Sequence, residues 1–396
     1  MKRSFAFIII IAVVFLAGCH GSGSSAPAPT NVNVIAGDTS VTVSWDMLPG
    51  VEYWAFKAAG TSVSPQSCIA MPECNITAKA VSPMVFSGLT NGTTYSFTVN
   101  GRIDGGKGGP GSPSIMAVPR LAGATWSVGA SLGAKDLHGV AFGSVFVAAG
   151  NSGALFSSPD GINWTPSLTN PILFANLNAV SYSGGKYVVV GAGGVVLLST
   201  DGATWQQQTS GTINDLYAIA NNGVGGFVAT GLNGTIITSS DGIIWKVITP
   251  VTTSALYGIT YGNGKYVAAG VAGTLFTSAD GATWQTVTPL STFDLKSVAY
   301  GAGMFAALGA NGTLVTSPDG ISWTLQTAIA PSALLNAVTY GRQFVATDNI
   351  GGTYVSIDGL AWSRTQSSSN LPVYAVTHGL YDYVAVGAIG SNMHSM

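Results

Sequence analysis

From residue 121 onward, apolar and polar positions alternate in short runs separated by glycine-rich turns, and the pattern returns about every 40 residues. Tryptophan marks the period at Trp126, Trp164, Trp205, Trp245, Trp284, Trp323 and Trp362. Each copy reads Leu-x-small-Val-x-aromatic, a turn, aromatic-Val-Ala-x-Gly, a second turn, Gly-Thr-Leu-x-x-Ser-x-Asp-Gly-x-x-Trp, then a polar run. In the second copy these are residues 177–182, 187–191, 195–199 and 205–208. Four period-two strands in about 40 residues predict one blade of a β-propeller.

The last copy runs through residues 373–376, 383–387 and Gly390, and stops at Ser395-Met396, before its Asp-Gly-x-x-Trp. The repeat region begins with the missing piece, Ala122-Gly123-Ala124-Thr125-Trp126, with alanine in the aspartate position. Joined, the two ends make a seventh blade from three C-terminal strands and one N-terminal strand. Residues 121–396 are therefore expected to form a seven-bladed propeller with 3+1 ring closure, which leaves no stacking face to cap.

Upstream, period-two alternation continues without a repeat. Val41, Val43 and Trp45 share one strand face, and Tyr95, Phe97 and Val99 another. This predicts a β-sandwich over residues 29–119 and makes the chain all-β. Residues 19–28, mostly Gly, Ser, Ala and Pro, are expected as a flexible tether. Residues 1–18 read as an export signal: Lys2 and Arg3 precede an apolar run over residues 5–16, too short to span a bilayer comfortably.

Leu16-Ala17-Gly18-Cys19 resembles the bacterial lipobox. The resemblance implies cleavage before Cys19 and acylation of Cys19, and several acyl chains anchor stably where one does not. An ordinary signal peptide with an incidental cysteine, or a short uncleaved anchor, remains the alternative. His20 stands where an aspartate would imply retention at the inner membrane, which favours the outer membrane if the host is diderm. The expected location is the bacterial cell envelope. Export also exposes Cys68 and Cys74 to oxidising conditions. With five residues between them and no histidine nearby, they are expected as a local disulfide, with free thiols as the alternative.

Pro29, the strand ending at Trp45, and the run Gly88-Leu89-Thr90-Asn91-Gly92-Thr93-Thr94-Tyr95 resemble a fibronectin type III domain. The resemblance implies that Trp45 fills the core between sheets and that Leu89 and Tyr95 form a tyrosine corner. Residues 60–82, which carry both cysteines, are longer than a usual connection of that family and read as a stapled insertion. Such domains act more often as spacers or binding modules than as enzymes.

The repeated Ser-x-Asp-Gly-x-x-Trp resembles the Asp-box of bacterial-neuraminidase (BNR) repeats, one residue shorter between Asp and Trp than the commonest form. Its aspartates are Asp160, Asp201, Asp241, Asp280, Asp319 and Asp358. A role repeated at every turn is structural: the carboxylate caps turn N–H groups and the glycine supplies a positive φ. The propeller also looks like the photosystem-assembly type, a likeness of fold and repeat only.

Composition narrows the function. Only 8% of residues are charged and the net charge is -2, which gives no basic field for nucleic acid. A sialidase-like site needs an arginine triad, and the repeats hold only Arg342 and Arg364. No phosphate loop, zinc spacing or nucleophile elbow is present, so no cofactor and no metal are expected. Outside the boxes the repeats keep Asp136, Asp215, Asp294, Asp348 and Asp382. His378 fills the slot held elsewhere by Phe142, Tyr182, Tyr261, Tyr300 and Tyr340, and reads as core; His394 has no partner in sequence.

One position varies where its neighbours do not. After the first-strand leucine, or Val373 in its place, stand His138, Asn178, Tyr217, Tyr257, Lys296, Asn336 and Tyr374. These are candidate ligand-binding residues around one mouth of the central channel, with packing between blades as the alternative. The expectation is a monomeric, non-enzymatic, lipid-anchored binding or scaffold protein with a protein or glycan partner. The rivals are a glycan-active enzyme, for which Asp136, Asp215 and Asp294 are the available carboxylates, and an assembly factor for an envelope complex.

Overall fold

A computed structural model describes residues 25–60, 62–120, 122–170, 173–365, 369–379 and 382–395. Residues 1–18 and Cys19 lie outside the described residues. The chain divides into two compact units, Met1–Pro119 and Arg120–Met396.

The first unit contains β1 (Asn33–Gly37), β2 (Ser40–Ser44), β3 (Val51–Ala59), α1 (Pro65–Ile69), β4 (Asn75–Ala80), β5 (Met84–Ser87), β6 (Tyr95–Ile103) and β7 (Ile115–Ala117). They form two sheets, β1-β2-β5 and β4-β3-β6-β7. Alternation along β2 and β6 sends Val41, Val43, Phe97 and Val99 inward to pack with Trp45 and Tyr53. Each such side chain is worth about 1.5–3 kcal/mol of burial. The Tyr95 hydroxyl accepts the Thr90 N–H at 3.2 Å beside buried Leu89, which makes the tyrosine corner.

The insertion between β3 and β4 is built from its own signals. Ser64 and Ser67 close a capping box around Pro65 and start α1, and Cys68 and Cys74 are joined as a disulfide. Its inner side covers half the outer face of β3, where Phe56, Ala58, Val63 and Cys68 form a second small cluster.

The structure differs from the expected tether at its C-terminal end. Ser25 forms an antiparallel bridge with Arg102, and Ala26 is buried. The partners are Gly109, where a side chain would collide with the Ala26 backbone, and Gly101, where one would crowd the Ala26 methyl and collide with Val51. Residues 25–28 thus belong to the sandwich. Small residues read as linker when the glycines that make room for them are not considered.

The second unit is a ring of seven sheets, antiparallel but for one strand pair. Blade 1 comprises Leu137–Phe142, Phe146–Gly150, Leu155–Ser158 and Thr165–Pro166. Blade 7 takes Val373–His378, Tyr383–Gly387 and Asn392–Ser395 from the C-terminal end and β8 (Ser127–Val128) from the N-terminal end, paired as Met393↔Val128 and His394↔Ser127. Blade 2 departs from four strands. Leu168–Asn170, at the end of blade 1, crosses to pair in parallel with Thr204–Gln208.

The core sits between blades. Val147, Ala149 and Leu155 of blade 1 pack on Leu177, Val189, Leu197 and Trp205 of blade 2, and Val384 and Val386 of blade 7 pack on Val140 and Ala148 of blade 1. Second strands such as Phe146–Gly150 and Tyr383–Gly387 are buried at every position. That explains their unbroken apolar runs, since neighbouring blades cover both faces.

Candidate functional site at the channel mouth

Each first strand starts at one end of the ring, here called the mouth. Strand direction then places the interblade loops and the turns between second and third strands at the mouth, and the Asp-box turns at the opposite end.

At the box end one arrangement recurs in six blades. Ser158 Oγ donates to Asp160 Oδ1 at 3.0 Å and accepts the Gly161 N–H at 2.8 Å. Asp160 Oδ1 also accepts the N–H groups of Ile162 and Asn163 at 2.9 and 2.8 Å. Asp201, Asp241, Asp280, Asp319 and Asp358 hold their own turns in the same way. Gly161, at φ 71, takes the conformation that a side chain would disfavour. These bonds favour the ionised carboxyl. At Asp160 burial pushes the pKa up, but the N–H groups of Asn163 and Ile162 outweigh it and bring it to about 2. The turn N–H groups do the same at Asp280 and Asp319, also to about 2.

The seventh box is assembled from both chain ends. The Gly123 N–H donates to Ser395 Oγ at 2.8 Å, Trp126 Nε1 donates to the Gly123 carbonyl at 3.0 Å, and buried Ala122 stands in the aspartate position. Trp164, Trp245, Trp284 and Trp362 make the same indole bond to their box glycine. Trp205 and Trp323 leave a buried Nε1 without a partner.

At the mouth all seven varying residues are half-buried. Each meets a neighbouring blade of the ring. The His138 ring lies 5.1 Å from that of Tyr374, and the Tyr217 ring 5.7 Å from that of Tyr257. Lys296 Nζ sits 3.5 Å above the Tyr257 ring and 3.0 Å from Asp294 Oδ2. Asn178 Nδ2 donates to the Leu216 carbonyl at 2.8 Å, and Asn336 Nδ2 to that of Val373 at 2.9 Å. His138 Nε2 lies 2.9 Å from Asn151 Oδ1. Burial, with the charge of Asp215 at Tyr217 and of Asp136 at Tyr374, raises both phenol pKa values, so these hydroxyls keep their protons.

The three carboxylates beside the ring have a task that sequence reading missed. Asp136 Oδ1 accepts the Ile389 N–H at 2.9 Å, Asp215 Oδ1 that of Gly193 at 2.8 Å, and Asp294 Oδ1 that of Ala272 at 3.0 Å. Each donor is the positive-φ residue of the preceding blade's turn, at φ 53, 64 and 53. Asn176, in the same register of blade 2, caps Ser152 identically at 3.0 Å. That asparagine was the available signal. Asp348 serves blade 6, where it ends the second strand in the place that Gly150 and Gly387 hold in theirs: buried, it accepts the N–H groups of Ile350 and Gly352 and the Tyr354 hydroxyl.

His378 packs its ring 4.8 Å from that of Tyr383, as Tyr182 does with Tyr187 at 4.5 Å, and burial then Arg342 push its pKa down. His394 lies half-buried on the third strand of blade 7, its Nδ1 without a partner.

A single-copy sandwich followed by a closed ring of repeats defines a two-domain propeller protein. Residues 27–117 match the model of the fibronectin type III domain, and residues 265–384 match that of the DUF6242 beta propeller domain. The chain thus carries a fibronectin type III domain and a β-propeller domain. No curated protein matches it. Among solved structures, YCF48 from Cyanidioschyzon merolae is 18% identical over 69% of this chain and 98% of its own, with a TM-score of 0.56. YCF48 bound to D1 peptide is 17% identical over 68% of this chain and 94% of its own, with a TM-score of 0.58. Streptogramin B lyase is 12% identical over 69% of this chain and 97% of its own, with a TM-score of 0.61. At these identities the likeness shows the fold. It extends to a propeller named as a lyase as well as to one with a bound peptide, so activity has to be argued from the side chains.

Proposed function

We propose that this chain is a lipid-anchored bacterial envelope protein whose propeller holds a partner protein at the channel mouth. One observation carries the reading. The aromatic and amide ring is surrounded by apolar side chains that the mouth loops leave exposed: Phe174, Ile213, Phe293, Leu371 and Ile389. A polar, partly aromatic centre with an apolar surround fits a protein surface better than a sugar, which offers little to bury against isoleucine and phenylalanine. The box end also exposes isoleucines, including Ile243 and Ile244, but they flank an ionised carboxylate in a turn that is alike in six blades. The structure of a propeller of this fold with a peptide bound gives the reading a precedent. With Asp136, Asp215 and Asp294 each tied to a turn, the side chains favour binding over glycoside hydrolysis.

The test places a photo-crosslinking residue singly at Phe174, Ile213, Ile244 and Ile357 in the native host. The mouth positions are expected to give one discrete protein adduct and the box positions none. Equal adducts from both ends, or none from the mouth, would reject the reading. Cys19→Ser is expected to release the chain from the membrane fraction.

A further inference from the structure

We infer that the disulfide-stapled insertion of the fibronectin domain seats that domain on the lipid surface. The inference rests on the acylation of Cys19 proposed above, and it starts from where the described chain begins. Ser25 is bridged to Arg102 on β6 and Ala26 is buried, so the segment bearing Cys19 joins the sandwich at a defined place. Six residue steps separate Cys19 from Ser25, a reach of about 20 Å at full extension. Whatever surface adjoins Arg102 is therefore kept close to the anchored end.

That surface has the composition of a membrane interface. Arg102 lines a cleft of about 490 Å³ together with Trp54, Phe56, Ile69, Ile76 and Lys107. Ile69, on α1, is 73% exposed and Ile76 49%. These are apolar side chains on a rigid support, since the Cys68–Cys74 disulfide ties α1 to the start of β4. Trp54 stands between them and the charges: the Arg102 guanidinium lies 4.9 Å over its ring, and its Nε1 donates to Glu52 at 3.2 Å. An amphipathic indole flanked by exposed isoleucine and by arginine and lysine is the residue set that settles at the headgroup boundary. Arg102 is paired with Glu52 at 2.8 Å, so Lys107 gives the cleft its net positive charge, which suits anionic lipid. The insertion covers Phe56 yet leaves Ile69 outward, so packing within the sandwich accounts for only one side of it.

The test reconstitutes the acylated full chain into phosphatidylethanolamine–phosphatidylglycerol vesicles whose acyl chains carry bromine, which quenches only indoles that reach them. Part of the tryptophan emission is expected to be quenched, and Trp54→Phe is expected to remove most of that part. Ile69→Asp, a change at an exposed position, is expected to cut the quenching by half or more while the vesicles still float the protein. Flotation without quenching at Trp54 overturns the seating alone, and is the outcome if the cleft serves a soluble partner or a second copy. Failure of the wild-type chain to float overturns the anchor and the seating with it.

Discussion

The two ends of the propeller are made by the same strands and have opposite relations to the repeat. At the box end the bonds are local: Ser199, Asp201 and Gly202 hold one another within four residues, and a copy works wherever it is placed. At the mouth the bonds cross between blades, as Asn178 to Leu216, Lys296 over Tyr257 and Asp136 to Ile389. A local device tolerates exact repetition. A cross-blade device has two partners that vary, so the junctions reach several solutions and the ring mixes histidine, asparagine, tyrosine and lysine. Variation at the mouth therefore has a structural component and does not by itself mark a ligand.

The sharpest way to break the comparison is at the one box that is not local. Deleting residues 387–396 removes the third strand of blade 7, the partner of β8, and the Ser395 hydroxyl that holds Gly123. Calorimetry is expected to show the propeller's cooperative transition lost, not merely shifted. A truncated chain with the native melting temperature would mean that the ring does not depend on its closure.

Within a single blade the box effect is smaller and uniform. Asp201→Ala leaves the N–H groups of Ala203 and Thr204 without their acceptor, a loss of about 1 kcal/mol by analogy with helix caps. The same substitution at Asp160 or Asp319 is expected to cost about the same in denaturant melts, and a spread of several-fold would break the claim of equivalence. The carboxyls also give the propeller an acid limit. Their folded pKa values are depressed to about 2 at Asp160, Asp280 and Asp319, against about 4 when unfolded. Their stabilisation is therefore full above the unfolded value and is lost as pH falls through about 2. Thermal melts from pH 6 down to 2 should show the loss begin below about 4.

How much of this was legible follows the same division. Blade number, box chemistry and the shared seventh blade are carried by local sequence, and so are the Val41, Val43 and Trp45 face and the Leu89–Tyr95 corner. The burial of Ala26 was not, because the room for it is made by Gly101 and Gly109, far along the chain. Nor was the parallel strand Leu168–Asn170, since three residues carry no period. Asp348 reads as a spare ionisable group until the N–H groups of its own turn are seen to need an acceptor. Similarly, the first-strand leucine and its neighbours place His138 through Tyr374 at one register, but their partners lie on the adjacent blade, outside any local window.

The smallest predicted effect sharpens the comparison most. If Asp136, Asp215 and Asp294 are acceptors for a neighbouring turn, then an amide oxygen should do the same work, and blade 2 already uses one at Asn176. Asp215→Asn is expected to change stability by less than about 0.5 kcal/mol, while Asp215→Ala, which leaves the Gly193 N–H without its acceptor, should cost about 1 kcal/mol. A catalytic carboxylate gives no such order in its own readout, because asparagine cannot exchange a proton and is as inert as alanine. Measuring both substitutions at each of the three sites, for stability and for turnover of a glycan panel, therefore separates the roles. Tolerance of asparagine at all three leaves the ring carboxylates as braces between blades; loss of a measurable turnover in any Asp→Asn variant would return the mouth to enzymology.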